Sequence, residues 1–231
     1  SRKELLKKLR EVLETNLKLI EDLVRDIERA LEEDRKLIED LLRRIEEVAR
    51  RILELRERGG SREEDVIREA EKIAERLKEL VEKLADDSRR IVEELKKRIK
   101  ELLRRSEKLV EELKKDLRED EKLLKLIEDL LRVSRRVIEA LLEIVERLLE
   151  VSERVMRAIK KLIDDLMKVL RAGVEDKRLR EVIKRLIEEL RRLLKEYEDV
   201  LRKVREDLKK LLEEYKRVLE RVDEELRKRD K

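Results

Sequence analysis

The sequence contains no cysteine, proline, histidine, tryptophan or phenylalanine, and has three glycines and two tyrosines in 231 residues. Each absence removes a class of chemistry. Without cysteine there is neither a disulfide nor a thiolate nucleophile. Without histidine the usual neutral-pH acid–base catalyst and the commonest metal ligand are missing. A chain so poor in aromatics offers no platform on which nucleic-acid bases could stack. The charges nearly cancel, with 66 Lys and Arg against 62 Asp and Glu, so no strong basic face points to nucleic acid. No apolar run approaches the roughly 18 residues a membrane span needs, and the first residues are too charged for a signal peptide, so a soluble chain is expected.

What is present is charge and aliphatic bulk. Charged residues make up 55% of the chain and hydrophobic residues 40%, against a usual charged fraction of about a quarter. Good helix formers dominate and proline is absent, so the composition predicts an all-α fold. Gly59, Gly60 and Ser61 interrupt the first periodic stretch, and Ser61 with Glu64 has the S-x-x-E spacing of a capping box. Gly173 followed by Val174 suits a left-handed helix end, and Asp176 suits the cap of the next helix. Between these breaks lie 112 residues without glycine, about 170 Å if they formed one helix. The flanking segments are half that long, so a further turn is expected at Asp116 to Glu121, where acids and Arg118 surround Leu117. The expected helices cover 1–57, 62–115, 121–171 and 176–231, folded as one antiparallel up-down four-helix bundle domain over 1–231.

The helices carry an internal period. Leu19 to Val24 reads LIEDLV, and 18 residues later Leu37 to Leu42 reads LIEDLL. Eighteen residues are five turns of about 3.6 residues, so such a seam stays on one face of a straight helix, and nearly untwisted helices are expected.

The uncharged polar residues keep the same period. Asn16 precedes Asp34, Ser88 precedes Ser106, Ser134 precedes Ser152 and Tyr197 precedes Tyr215, each by 18 positions, and each lies on an apolar seam. In an antiparallel pair, residues equally far from the shared turn stand at one level. Asn16 and Ser106 are symmetric about position 61, as are Asp34 and Ser88; the serine pairs Ser106/Ser134 and Ser88/Ser152 are symmetric about 120. The pairs Ser134/Tyr215 and Ser152/Tyr197 share a centre near 174. These centres coincide with the expected turns. Two inward polar layers follow: Asn16, Ser106, Ser134 and Tyr215 in one, and Asp34, Ser88, Ser152 and Tyr197 in the other. Asp34 supplies only acceptors, so three hydroxyl donors around it could satisfy it. An acid, hydroxyls and a phenol at one level also suggest a catalytic cluster, but nothing is placed to activate a nucleophile. No catalytic residue, cofactor, metal or small-molecule substrate is expected; acidic pairs such as Asp164 and Asp165 read as solvated helix faces. The layers read as devices that fix helix register, because misalignment would strand buried polar groups.

The third helix has the widest apolar arc, about 200° against roughly 150° for the others at about 100° per residue. The excess is an ordered stripe of Leu126, Val133, Ala140, Ile144, Val151, Ala158, Leu162 and Val169. It could pack within a rhombic bundle, or it could be a helix-to-helix interface. The expected role is self-association as a homo-oligomer, with no nucleic-acid or membrane partner.

These repeats, the surface saturated with Glu, Lys and Arg, and the paired Asn, Ser and Tyr layers resemble de novo, parametrically designed helical bundles with buried hydrogen-bond networks. The resemblance covers the whole chain. It implies a scaffold or assembly module without a natural substrate, in a family that includes monomers, cyclic oligomers, heterodimers and caged switches. The segment after Lys115 departs from it in lacking the Gly or Pro often placed in such turns.

Overall fold

The computed structural model describes residues 2–57, 63–116, 118, 120–172 and 176–230. The expected capping box at Ser61 and Glu64 and the break at Gly173 and Val174 lie outside what is described, as does the side chain of Asp176. Four helices account for the described chain: α1 (Arg2–Glu57), α2 (Glu63–Asp116), α3 (Glu121–Arg171) and α4 (Asp176–Asp230). Among the described residues there is no strand. The architecture is an all-α antiparallel bundle.

The turn before α3 shows how a helix starts without glycine or proline. Asp120 accepts a hydrogen bond from the backbone N–H of Leu123 at 3.2 Å through its carboxylate, and its own carbonyl accepts the N–H of Leu124 at 2.9 Å. This is an N-cap: the carboxylate satisfies an amide that has no partner inside the helix, and its charge suits the positive end of the helix dipole. Arg2 pairs with the same carboxylate at 3.2 Å.

The chain forms two compact units. Unit 1 comprises Ser1–Arg29, Ile91–Arg147 and Lys203–Lys231; unit 2 comprises Ala30–Arg90 and Leu148–Arg202. In unit 1 the core is filled by seam residues such as Leu13, Ile20, Ile99, Leu130, Leu141 and Leu208. In unit 2 the corresponding residues include Leu41, Ile45, Val81, Val155, Ile159 and Leu201. Burying aliphatic side chains is worth about 1.5 to 3 kcal/mol each, so these seams supply the main driving force for folding.

Interhelical ion pairs report direction and register. Across α2 and α3 of unit 1, Lys96 meets Glu146 at 3.7 Å, Glu107 meets Arg135 at 3.3 Å, and Lys114 meets Glu128 at 3.9 Å. Unit 2 has Glu71 with Arg171 at 2.9 Å, Lys78 with Asp164, Glu82 with Lys160 at 2.8 Å, and Arg89 with Glu153 at 2.9 Å. In every pair the two residues are symmetric about position 121, so within each unit α2 and α3 run antiparallel in one fixed register. Between α1 and α4, Arg10 meets Asp223 in unit 1, while Arg35 meets Glu198 at 3.6 Å and Glu46 meets Arg191 at 3.2 Å in unit 2. Exposed pairs of this kind contribute little stability singly, about 0 to 1 kcal/mol, so they are better read as markers of alignment.

Candidate functional site

The polar residues of the two layers fall in different units and are held differently. In unit 1, Asn16, Ser106, Ser134 and Tyr215 are all buried. The Ser134 hydroxyl donates to the Tyr215 phenol oxygen at 3.1 Å, joining α3 to α4. Burial pushes the Tyr215 phenol upward, and its hydrogen bonds with Ser134 and Asn16 oppose that shift, so α1 is tied into the same cluster. Ser106 is not tied in. Its hydroxyl donates to the carbonyl of Leu102, one turn back on its own helix, at 3.0 Å.

In unit 2 the centre is Asp34, half-buried on α1. Its Oδ1 accepts a hydrogen bond from Ser88 on α2 at 3.3 Å, and its Oδ2 accepts one from Tyr197 on α4 at 3.1 Å. Ser152 is buried in this unit but is not among the donors to Asp34. Loss of water around the carboxylate pushes its pKa up from 3.8 to about 6; the bonds from Tyr197 and Ser88 pull the other way, and Glu33 adds a small upward push. Burial raises the Tyr197 phenol as well, with the charge of Asp34 and the hydrogen bond to it acting in the same direction. Both phenols are therefore held in the protonated form, Tyr197 as a donor to Asp34 and Tyr215 as an acceptor from Ser134. The arrangement can distribute hydrogen bonds; it does not generate a phenolate or an alkoxide.

The α3 stripe is largely covered by the chain's own packing. Leu126, Val133 and Ala140 in unit 1, and Val151, Ala158, Leu162 and Val169 in unit 2, are half-buried. Ile144 differs from its neighbours: it is 3% exposed and belongs to the core of unit 1. Among the described residues no large hydrophobic side chain is exposed.

Surface grooves open in unit 1, and two of them are of similar size. One, of about 430 Å³ between α1 and α2, is bordered by Val12, Asn16, Arg105 and Leu109. The other, of about 450 Å³ between α2 and α3, is bordered by Ser106, Val110, Leu131 and Arg135. Among the described residues no group of three or more acidic side chains is placed to hold a metal ion. No described helix is long and apolar enough to cross a membrane.

The α2–α3 ion pairs were not singled out by the sequence reading, which treated the charged runs as solvated faces. The signal was there: opposite charges at positions symmetric about 121, one residue from the centre about which the serines pair.

The different bonding of the serines has a measurable consequence. Ser106→Ala removes a bond made only within α2 and substitutes a better helix former, so its effect on the urea-unfolding midpoint should correspond to less than about 0.5 kcal/mol. Ser134→Ala removes a partner from a buried phenol and should cost about 1 to 2 kcal/mol. Equal effects would show that the Ser134–Tyr215 bond contributes nothing to holding α3 against α4.

No protein-family model matches the chain. The search of curated proteins also finds no match. Among solved structures, a computationally designed three helix bundle is similar over 96% of this chain and 91% of its own length, with 22% identity and a TM-score of 0.37. Similarity at that level carries no argument about activity.

Proposed function

We propose that the chain is a designed structural scaffold without catalytic chemistry, in which buried polar groups set the register of the helices around an aliphatic core. The observation that carries this reading is the pair of hydrogen bonds that Asp34 accepts from Ser88 and Tyr197, which come from two other helices. Sliding either helix would leave a desolvated carboxylate short of donors, at a cost of about 1 to 3 kcal/mol for each lost bond. Apolar seams discriminate poorly between registers a turn or two apart, so for slips shorter than one 18-residue repeat the polar groups supply the choice. Spin labels at the exposed positions Glu47 on α1 and Glu75 on α2 test this. The parent should give one narrow distance distribution, and Asp34→Leu should broaden it. A distribution that stays narrow in the variant would remove Asp34 from the register role.

A second reading, association of copies through α3, is supported by the incomplete burial of seven of the eight stripe residues. Light scattering should then give a molar mass above the 28.2 kDa of one chain. The substitutions Val133→Glu and Val151→Glu together should return it to that of a monomer with the helix content unchanged. A parent already monomeric at high concentration would assign the stripe to packing within the chain.

A further inference from the structure

Asp34 and Asn16 occupy equivalent places in the 18-residue repeat of α1, one in each unit, and they are not chemically equivalent. Asn16 is neutral at every ordinary pH, so the cluster it forms with Tyr215 and Ser134 has a fixed charge. Asp34 carries a proton or a negative charge. We propose that Asp34 is a proton-binding site that couples the stability of unit 2, and not that of unit 1, to pH, with unit 2 tightening in acid and loosening toward neutrality.

The geometry supports this on three counts. The carboxylate is half-buried and is met by two hydroxyl donors, neither of them charged. No cation is among the groups that act on it. The charged residues nearby are committed elsewhere: on its own helix Arg35 pairs with Glu32 at 2.9 Å and also contacts Glu39 and Glu198, the last from α4. On α2, Asp87 pairs with Arg90, and Arg89 pairs with Glu153 of α3 at 2.9 Å. Among the described residues the charge that bears on Asp34 is Glu33, of the same sign, which favours protonation.

The sign follows from linkage. The folded chain binds the Asp34 proton more tightly than the unfolded chain does, with a pKa of about 6 against 3.8. Its contribution to stability is therefore fully present below the unfolded value and is lost as pH rises through about 6. Between about pH 7.5 and about pH 5 the opening equilibrium of unit 2 should shift toward the closed form by about tenfold.

Hydrogen exchange on the full chain, corrected for the intrinsic pH dependence of amide exchange, reads the two units separately. The expected result is about tenfold more protection in the unit 2 stretches of the four helices at about pH 5, with the unit 1 stretches unchanged by this route. Asp34→Asn should abolish the effect, and Asn16→Asp should create a similar dependence in unit 1. A carboxyl-carbon NMR titration of the unmodified chain provides the check that does not depend on a variant folding. The proposal is overturned if the Asp34 carboxyl titrates near pH 4, or if Asp34→Asn retains the pH response of unit 2. These outcomes depend on the proton affinity of Asp34 and not on whether it selects the helix register, so the scaffold reading and this one can fail separately.

Discussion

Tyr215→Ala should lower stability by about 3 to 5 kcal/mol, read as a large drop in the urea-unfolding midpoint. The ring is 0% exposed and is the largest fully buried side chain in the structure. Its removal leaves a cavity at the centre of unit 1 and also strips the hydrogen-bond partner from Ser134 and Asn16. The two losses can be separated. Tyr215→Phe keeps the ring and removes only the hydroxyl, so it should cost about 1 to 2 kcal/mol, the price of polar groups left without a partner. If the phenylalanine variant were as unstable as the alanine variant, the hydrogen bonds would outweigh packing; if it were as stable as the parent, the cluster would contribute nothing.

The second large effect lies on α3. Ile144→Glu should destabilise the chain by about 4 kcal/mol or more, because it places a carboxylate at a site 3% exposed with no built partner. Val133→Glu, one of the half-buried positions of the same stripe, should cost about 1 kcal/mol or less, because its carboxylate can reach water. Thermal unfolding followed by circular dichroism separates the two. The contrast matters for any test of association: a disruption that includes Ile144 would unfold unit 1 and mimic loss of an interface, so only the half-buried positions can be used. Similar losses at Ile144 and Val133 would contradict the burial pattern of the stripe.

The helical architecture was legible because each helix in this chain is long, strongly periodic and ended by an unusual residue. Glycines mark two of the breaks, and at the remaining one the acidic cluster contains Asp120, whose carboxylate caps α3. Some of the polar contacts were legible too: the symmetric positions Ser134 and Tyr215, and Asp34 and Ser88, are joined by hydrogen bonds. Hydrogen-bond choice was less so. Ser106 sits at a position symmetric with its expected partners, but a serine inside a helix can turn its hydroxyl to the carbonyl four residues back, and Leu102 competes successfully for it. Spacing says where a side chain starts and not which way its first torsion turns. The placement of Ile144 fails to show in the sequence for a related reason. A wheel of about 100° per residue places it at the margin of the apolar arc, and the neighbouring helices, which the wheel does not contain, decide that it is covered.

The α2–α3 ion pairs also bear on a hazard of periodic sequences. Helices that repeat every 18 residues present almost the same apolar face after a slip of one repeat, so a chain folding by aliphatic contacts alone would meet a near-degenerate alternative. One line of the ladder opposes that slip by reversing sign. Along α2 one of its positions reads Glu71, Arg89 and Glu107, while its partners on α3 read Arg171, Glu153 and Arg135. A slip of one repeat in one sense would bring Glu71 against Glu153, and in the other sense Arg89 against Arg171. Attraction at each such rung becomes repulsion, although a single rung in register adds little to stability. That line of charges thus works as a parity check: it hardly strengthens the correct alignment and it penalises a slip of one repeat, whereas the line of Lys78, Lys96 and Lys114 against Asp164, Glu146 and Glu128 keeps its sign and accepts the slip.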